Sequence, residues 1–264
     1  MAPEQRLPIS VCIVASNEAH RIRRTLDNVA DWAGEIVVVT DNNVTDGTGE
    51  IASSYGAKVI CKPWQGTAAH RNLATENATQ PWILALDADE VVSPALRDEI
   101  RRAITAAHAR GESTFAAYAF PRCTFYLGRW IRHGDWYPDY IVRLWQREQG
   151  HWTGTVHEKL IVQGRVGYLK SEMLHYSMES VEHQIKKTLK YADEFVRICA
   201  KQGRTVTVLD LLVRPVWRFW RSYLFRLGFL DGWQGFTIAW MTAFYTFLRY
   251  VKVREAQLPK DISP

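Results

Sequence analysis

Four short apolar runs, each followed by a helical stretch, fill the first 108 residues. Ser10–Ala15 (SVCIVA), Glu35–Thr40 (EIVVVT), Lys58–Cys61 and Trp82–Leu86 read as strands. Arg21–Ala30, Asp46–Tyr55, Thr67–Ala78 and Pro94–His108 read as helices. Gly56 suits the end of the second helix, and Ser93 with Pro94 suits the start of the fourth. Strands alternating with helices over short connections imply a parallel sheet with helices on both faces, so the expected fold class is α/β. A hydrophobic fraction of 47 % supplies the core that such a sheet needs. After Gly111 the alternation stops. Phe115–Leu127 and Ile141–Arg147 read as strands around an aromatic loop, Trp130–Tyr140, and an antiparallel extension runs to about Tyr176. Glu179–Lys201 reads as a long polar helix, and two aromatic helices follow it. The expected division is a catalytic domain over 1–177 and a helical region over 178–264.

Parallel α/β sheets bind ligands at the carboxyl ends of their strands. The loops after the first, second and fourth strands begin Ser16-Asn17-Glu18, Asp41-Asn42-Asn43 and Asp87-Ala88-Asp89, so three polar clusters are expected on one edge. The stretch "LDADE" sets Asp87, Asp89 and Glu90 within four residues. Carboxylates that close repel unless something positive neutralises them. Capping of the helix at Pro94 accounts for one of them, not for three. On a continuing strand Asp87 and Asp89 face the same way. Hard oxygen ligands at that spacing suit Mg²⁺ or Mn²⁺, with substrate phosphates completing the shell.

The segments "EIVVVTDNNVTDGT" (Glu35–Thr48), "GTAAHRNLA" (Gly66–Ala74) and "LDADE", in that order, resemble glycosyltransferase family 2. "WYPDYIVRLWQR" (Trp136–Arg147), "WTGTVHEKL" (Trp152–Leu160) and "LHYS" (Leu174–Ser177) resemble a subgroup that includes glucosyltransferases of the lipopolysaccharide inner core. The resemblance spans roughly residues 8–255. It implies the GT-A fold, a nucleotide-sugar donor and an inverting transfer. By carry-over, Asp41 would bond the nucleotide base, Glu18 would line the same pocket and Arg71 would lie near the base or diphosphate. Asp87 would support the ribose or the metal shell, and Asp89 would hold the metal on the diphosphate. The family's small Ser-Gly pair after the Asp41 position is replaced here by Asn42-Asn43. Asn tolerates positive φ, so the turn is expected to survive.

Glu158, in "TVHEKL", is the first candidate for the catalytic base, and Asp139, in "WYPD", is the second. A carboxylate base typically contributes about 10²–10⁴-fold to such a transfer. His157 would pack beside the base. His175 is a candidate third metal ligand, with a hydrogen-bonded core histidine as the alternative. Trp136 and Tyr137 would stack on a sugar or simply pack.

The charge is uneven. Residues 201–264 hold ten Lys/Arg and four Asp/Glu, a net of +6, in a chain whose total is +5. In "LLVRPVWRFWRSYLFRLGF" (Leu211–Phe229), Arg214, Arg218 and Arg221 share one helical face, and Pro215 suits a first turn. The apolar segment Trp233–Leu248 is too short to span a bilayer. Basic charge beside Trp and Phe suits a helix lying in the membrane interface, with packing helices as the alternative and nucleic acid disfavoured. Glu179–Lys201 also offers a surface for a homodimer. The four dispersed cysteines, with Cys12 and Cys61 in strands taken as buried, read as reduced core thiols. The opening Met1 to Pro8 does not read as a signal peptide. Together these features lead to the expectation of a cytoplasmic chain, peripheral on the inner face of the cytoplasmic membrane. It would take a UDP-hexose donor, UDP-glucose above others, and a lipid-linked glycan acceptor such as lipopolysaccharide inner core. A nucleotidyltransferase and an inactive membrane-bound scaffold are the competing readings.

Overall fold

The computed structural model describes residues 6–109, 114–154, 158–178 and 180–258, so His157 lies outside the described residues. The first half of the chain runs β1 (Leu7–Ala15), α1 (Ala19–Val29), β2 (Ala33–Asp41), α2 (Thr48–Ser54), β3 (Lys58–Lys62), α3 (Thr67–Glu76), β4 (Trp82–Asp87), β5 (Glu90–Val92) and α4 (Pro94–Ala109). Strands then dominate: β6 (Ala117–Tyr126), β7 (Arg129–Ile131), β8 (Asp139–Gln146), β9 (Gly150–Thr153), β10 (Lys159–Val162), β11 (Val166–Tyr168) and β12 (Met173–Met178). Three helices close the chain, α5 (Val181–Lys201), α6 (Val208–Trp220) and α7 (Gly232–Ala256). The chain forms two compact units. One runs to Arg122 and resumes over Asp139–His175, and the other joins Cys123–Pro138 to the chain from Tyr176 onward. The segment Cys123–Pro138 therefore groups with the C-terminal helices.

In the first unit β1 lies between β2 and β4, parallel to both, and β3 adds parallel to β2. Beyond β4 the direction reverses. β8 pairs antiparallel with β4, and β6 pairs antiparallel with β8. The result is the α/β, mostly parallel sheet of a GT-A fold with an antiparallel extension. Successive residues of β1 face opposite sides. Val11 and Ile13 pack with Ile22 and Leu26 of α1 and Leu96 and Ile100 of α4. Cys12 packs on the other side with Ala68 and Ala74 of α3. Ser93 caps α4 by accepting the Leu96 N–H at 3.1 Å. Cys61 differs from expectation: it is exposed, because β3 is the sheet's edge, while Cys12 is buried.

The second unit departs more from its sequence pattern. The aromatic loop contains β7, which forms a hairpin with β6 through Leu127 and Gly128 at φ 44° and 85°. Two left-handed residues make the tight turn that suits the strand twist. Two buried aspartates organise this unit. Asp231 accepts the backbone N–H of Arg132 and of His133, at 3.0 and 2.8 Å. Asp135 is ion-paired with Arg218 at 3.2 Å, with Arg221 and with Arg226 at 3.7 Å. The helix α6 begins earlier than Pro215 suggests. Thr207 and Asp210 form a capping box there, which satisfies the first amides and leaves Pro215 inside the helix. Past Trp220 it widens into a π turn, Arg221–Phe225, and a 3₁₀ turn, Gly228–Asp231, leads into α7.

Candidate active site

The parallel register brings the strand ends level. Val14 of β1 pairs with Asp87 of β4, and Ala15 pairs with Thr40 of β2. The loops holding Glu18, Asp41 and Asp87–Asp89 thus open on one edge of the sheet. At the centre is Asp87, with both carboxylate oxygens engaged. Arg71 of α3 donates to Oδ1 at 2.6 Å, and Arg143 of β8 donates to Oδ2 at 2.8 Å. Both arginines are nearly buried. They are the positive charge that the packed carboxylates require.

Glu90 lies beneath this pair with 0 % of its side chain exposed. It accepts the Asp87 N–H at 3.0 Å, and Arg122 and Arg143 approach its other oxygen at 3.4 and 3.5 Å. Those contacts are long, since each guanidinium is committed elsewhere. Burial first, and the charge of Asp87 second, push the Glu90 carboxyl up to about 8 against the pull of Arg122. Asp139 is the other partner of Arg122, at 2.7 Å, and is 43 % exposed. It therefore sits in an ion pair at the mouth of the site.

Residues of α3 hold a second layer. The Asn72 side chain donates to the Trp152 carbonyl at 2.9 Å and accepts the Trp152 N–H at 2.8 Å. This fixes the Trp152 indole under Arg71, 4.5 Å from ring centre to guanidinium. The short ribbon of β9 and β10 carries Glu158 next to its last pair, Thr153 with Lys159. Glu158 lies 3.8 Å from Arg71. An open cleft of about 450 Å³ is lined by Arg71, Arg122, Arg143, Tyr140, Trp152 and Glu158.

Asp89 faces elsewhere. Its Oδ1 is 3.5 Å from His175 Nε2, and its Oδ2 is 3.6 Å from Arg21. Arg21 also donates to Glu18 at 2.7 Å. Burial raises the Glu18 carboxyl above its ordinary value, with Arg21 opposing. Asp41 accepts the Asn43 N–H at 3.1 Å, an Asx turn that holds Asn42-Asn43 without left-handed backbone. The left-handed asparagine is Asn17, at φ 57°. Trp136 packs against Tyr126 and Ile238 in the second unit.

Among the described residues no group of three or more His, Cys, Asp and Glu converges to hold a metal by itself. The pair Asp89–His175 nonetheless fits a divalent cation. Its carboxylate oxygen and the His175 Nε2 face each other at 3.5 Å, two donors of the kinds such a cation takes. An ion held by two side chains suits Mg²⁺ or Mn²⁺, which keep waters and share phosphate oxygens. Asp87, with a guanidinium on each oxygen, offers only its remaining lone pairs. Sequence reasoning assigned no role to Arg143, Arg122 or Trp152. The signal for the arginines was a lone charge inside each of two strands, "FPRCTF" and "YIVRLW".

The profile of Glycosyl transferase family 2 matches residues 10–158. An uncharacterised glycosyltransferase of Rickettsia typhi is 31 % identical over 260 residues, 95 % of this chain and 88 % of that one. The lipopolysaccharide core biosynthesis glycosyltransferase LpsC of Rhizobium meliloti is 28 % identical over 257 residues, 94 % of this chain and 92 % of that one. The crystal structure of S. aureus TarS 1–349 in complex with UDP-GlcNAc aligns with a TM-score of 0.49 at 13 % identity, covering 95 % of this chain and 91 % of that one.

Proposed function

Because this chain belongs to glycosyltransferase family 2, we propose that it transfers a hexose, glucose from UDP-glucose, to a hydroxyl of a lipid-linked glycan of the lipopolysaccharide-core kind. The transfer inverts the anomeric centre and depends on Mg²⁺ or Mn²⁺. The observation that carries the reading is the convergence of Arg71, Arg143, Asp87 and Glu158 around one open cleft at the carboxyl end of β4. The core-biosynthesis name of the LpsC relative supports the acceptor class.

The chemistry follows from charge. The bond from the sugar carbon to the diphosphate breaks, and its electron pair leaves with the nucleoside diphosphate. Arg71 and Arg143 are placed to receive that charge, as preorganised donors in a partly buried site. A divalent cation on Asp89 and His175 would act as a Lewis acid on the same leaving group. The acceptor hydroxyl bonds to the sugar carbon from the opposite face and gives its proton to the Glu158 carboxylate. Trp152, held by Asn72, gives the cleft an apolar wall. Glu18 and Asp41 are the groups available to the nucleoside.

The test is titration calorimetry with a series of nucleotide sugars, with and without Mn²⁺, followed by NMR of the product's anomeric proton. The expected result is Mn²⁺-dependent binding of UDP-glucose and a β-linked product from the α-linked donor. Retention of configuration, or release of pyrophosphate instead of UDP, overturns the reading.

A further inference from the structure

The second unit carries an apolar surface that the transfer chemistry does not use. On α6, Leu212, Val216 and Trp220 recur at i, i+4 and i+8. On α7, Trp240, Phe244 and Phe247 recur at i, i+4 and i+7. All six are 44–62 % exposed. Between these two rows runs a groove of about 890 Å³, lined by the same side chains. Trp217 and Trp233 add two more exposed indoles on the same helices. A soluble surface rarely leaves so much contiguous apolar area uncovered without a partner.

A second face of α6 and the turn that follows it are basic. Arg214 pairs with Asp210, and Arg218, Arg221 and Arg226 all pair with Asp135. Four guanidiniums share two carboxylates, a surplus of two positive charges. The surplus lies beside exposed indoles, the side chains that favour the bilayer's headgroup level. No helix among the described residues is long and apolar enough to cross a membrane.

We infer that the α6–α7 face is a lipid-binding surface, with the groove taking acyl chain and the arginines meeting the phosphate of anionic headgroups. The helix pair lies in the interface rather than through it. Charge decides between lipid and a second copy of this chain. A second copy of this chain carries the same arginine surplus and offers it no counter-charge, whereas anionic lipid complements it. The inference concerns the helical unit alone and stands apart from the donor chemistry proposed above.

The test is flotation of the full chain with phosphatidylcholine vesicles, with and without phosphatidylglycerol, at low and high salt. Binding is expected only with phosphatidylglycerol present and is expected to weaken with salt. In Trp220→Ser/Trp240→Ser, affinity is expected to fall on the order of a hundredfold, from two lost apolar burials. Both positions are exposed, so thermal melting is expected to match the wild type and to show that the variant folds. Acyl-brominated lipid is expected to quench the wild-type tryptophan fluorescence more than that of the variant. Equal binding to neutral vesicles, or no binding to any, overturns the inference. So does a light-scattering dimer that ignores vesicles and that the double substitution converts to monomer.

Discussion

Gly235→Ala sets two effects of opposite sign against each other in the turn that leads into α7. Gly235 lies in the first turn of α7. By helix propensity alone, alanine is favoured by about 1 kcal/mol. The structure reverses this. A Cβ on Gly235 would sit 1.8 Å from the Gly228 carbonyl oxygen and 2.9 Å from its carbonyl carbon. Carbon and oxygen rest at about 3.3 Å even in weak hydrogen bonds, so the backbone would have to give by roughly 1.5 Å. Gly228 has no room to retreat, since a Cβ there would itself fall 2.6 Å from the Ser222 carbonyl oxygen. Overpacking costs about 1–3 kcal/mol where side chains can adjust, and more where they cannot. With backbone on both sides the expected cost is about 3–4 kcal/mol, leaving a net loss of about 2–3 kcal/mol after the propensity gain. For a chain of this size that lowers Tm by roughly 4–12 °C. Gly49→Ala in α2 is the control, because its new Cβ meets only Val59 Cγ1 at 3.6 Å, an ordinary contact. It is expected to stabilise by about 0.5–1 kcal/mol. Circular-dichroism melts of the two variants, with hydrogen exchange of the α7 amides, give the comparison. If Gly235→Ala melts at or above the wild type, the close approach of the two turns does not constrain the chain as argued.

Three further outcomes are expected. Asp89→Ala and His175→Ala each weaken Mn²⁺-dependent donor binding by about tenfold or more, measured by calorimetry, and chelation removes transfer; unchanged Mn²⁺ affinity in both would place the ion elsewhere. Glu158→Gln binds donor normally but loses about 10²–10⁴ in kcat, while Asp139→Asn keeps a wild-type chemical rate, and single-turnover assays separate the two. Burial holds the Glu90 carboxyl at about 8 against an ordinary 4.5, so the folded chain keeps a proton that the unfolded chain releases. Its contribution to stability is therefore present below pH 4.5 and lost as pH rises through 8, and denaturant titrations across that range are expected to show a shallower decline in Glu90→Gln.

The parallel half of the fold was legible because its strands are continuous β-branched runs, and "VCIVA" or "IVVVT" has no helical reading of the same quality. The acidic edge was legible because strand ends in such sheets converge, and the register of β1 with β2 and β4 is that convergence. Arg143 was not, because a guanidinium inside a strand carries no periodic signal. Its role exists only once β8 lies antiparallel beside β4. The β6–β7 hairpin escaped notice because its turn is Leu127-Gly128, and leucine rarely takes positive φ. The start of α6 was drawn toward Pro215, while the capping box at Thr207 uses Asp210 where glutamate is the common signature.

Arg71 and Asn72 are consecutive residues of one helix, and this makes α3 a common datum for the cleft. Asn72 anchors Trp152, one pair in from the turn end of a two-stranded ribbon that lies outside the main sheet's ladder, and Glu158 follows directly on that ribbon's last pair. The spacing between the arginine and the carboxylate is thus gauged along a single rigid rod. Small slippages between neighbouring sheet strands leave it unaltered, whereas Asn72→Asp, which puts a carboxylate against the Trp152 carbonyl, would unpin arm and gauge together.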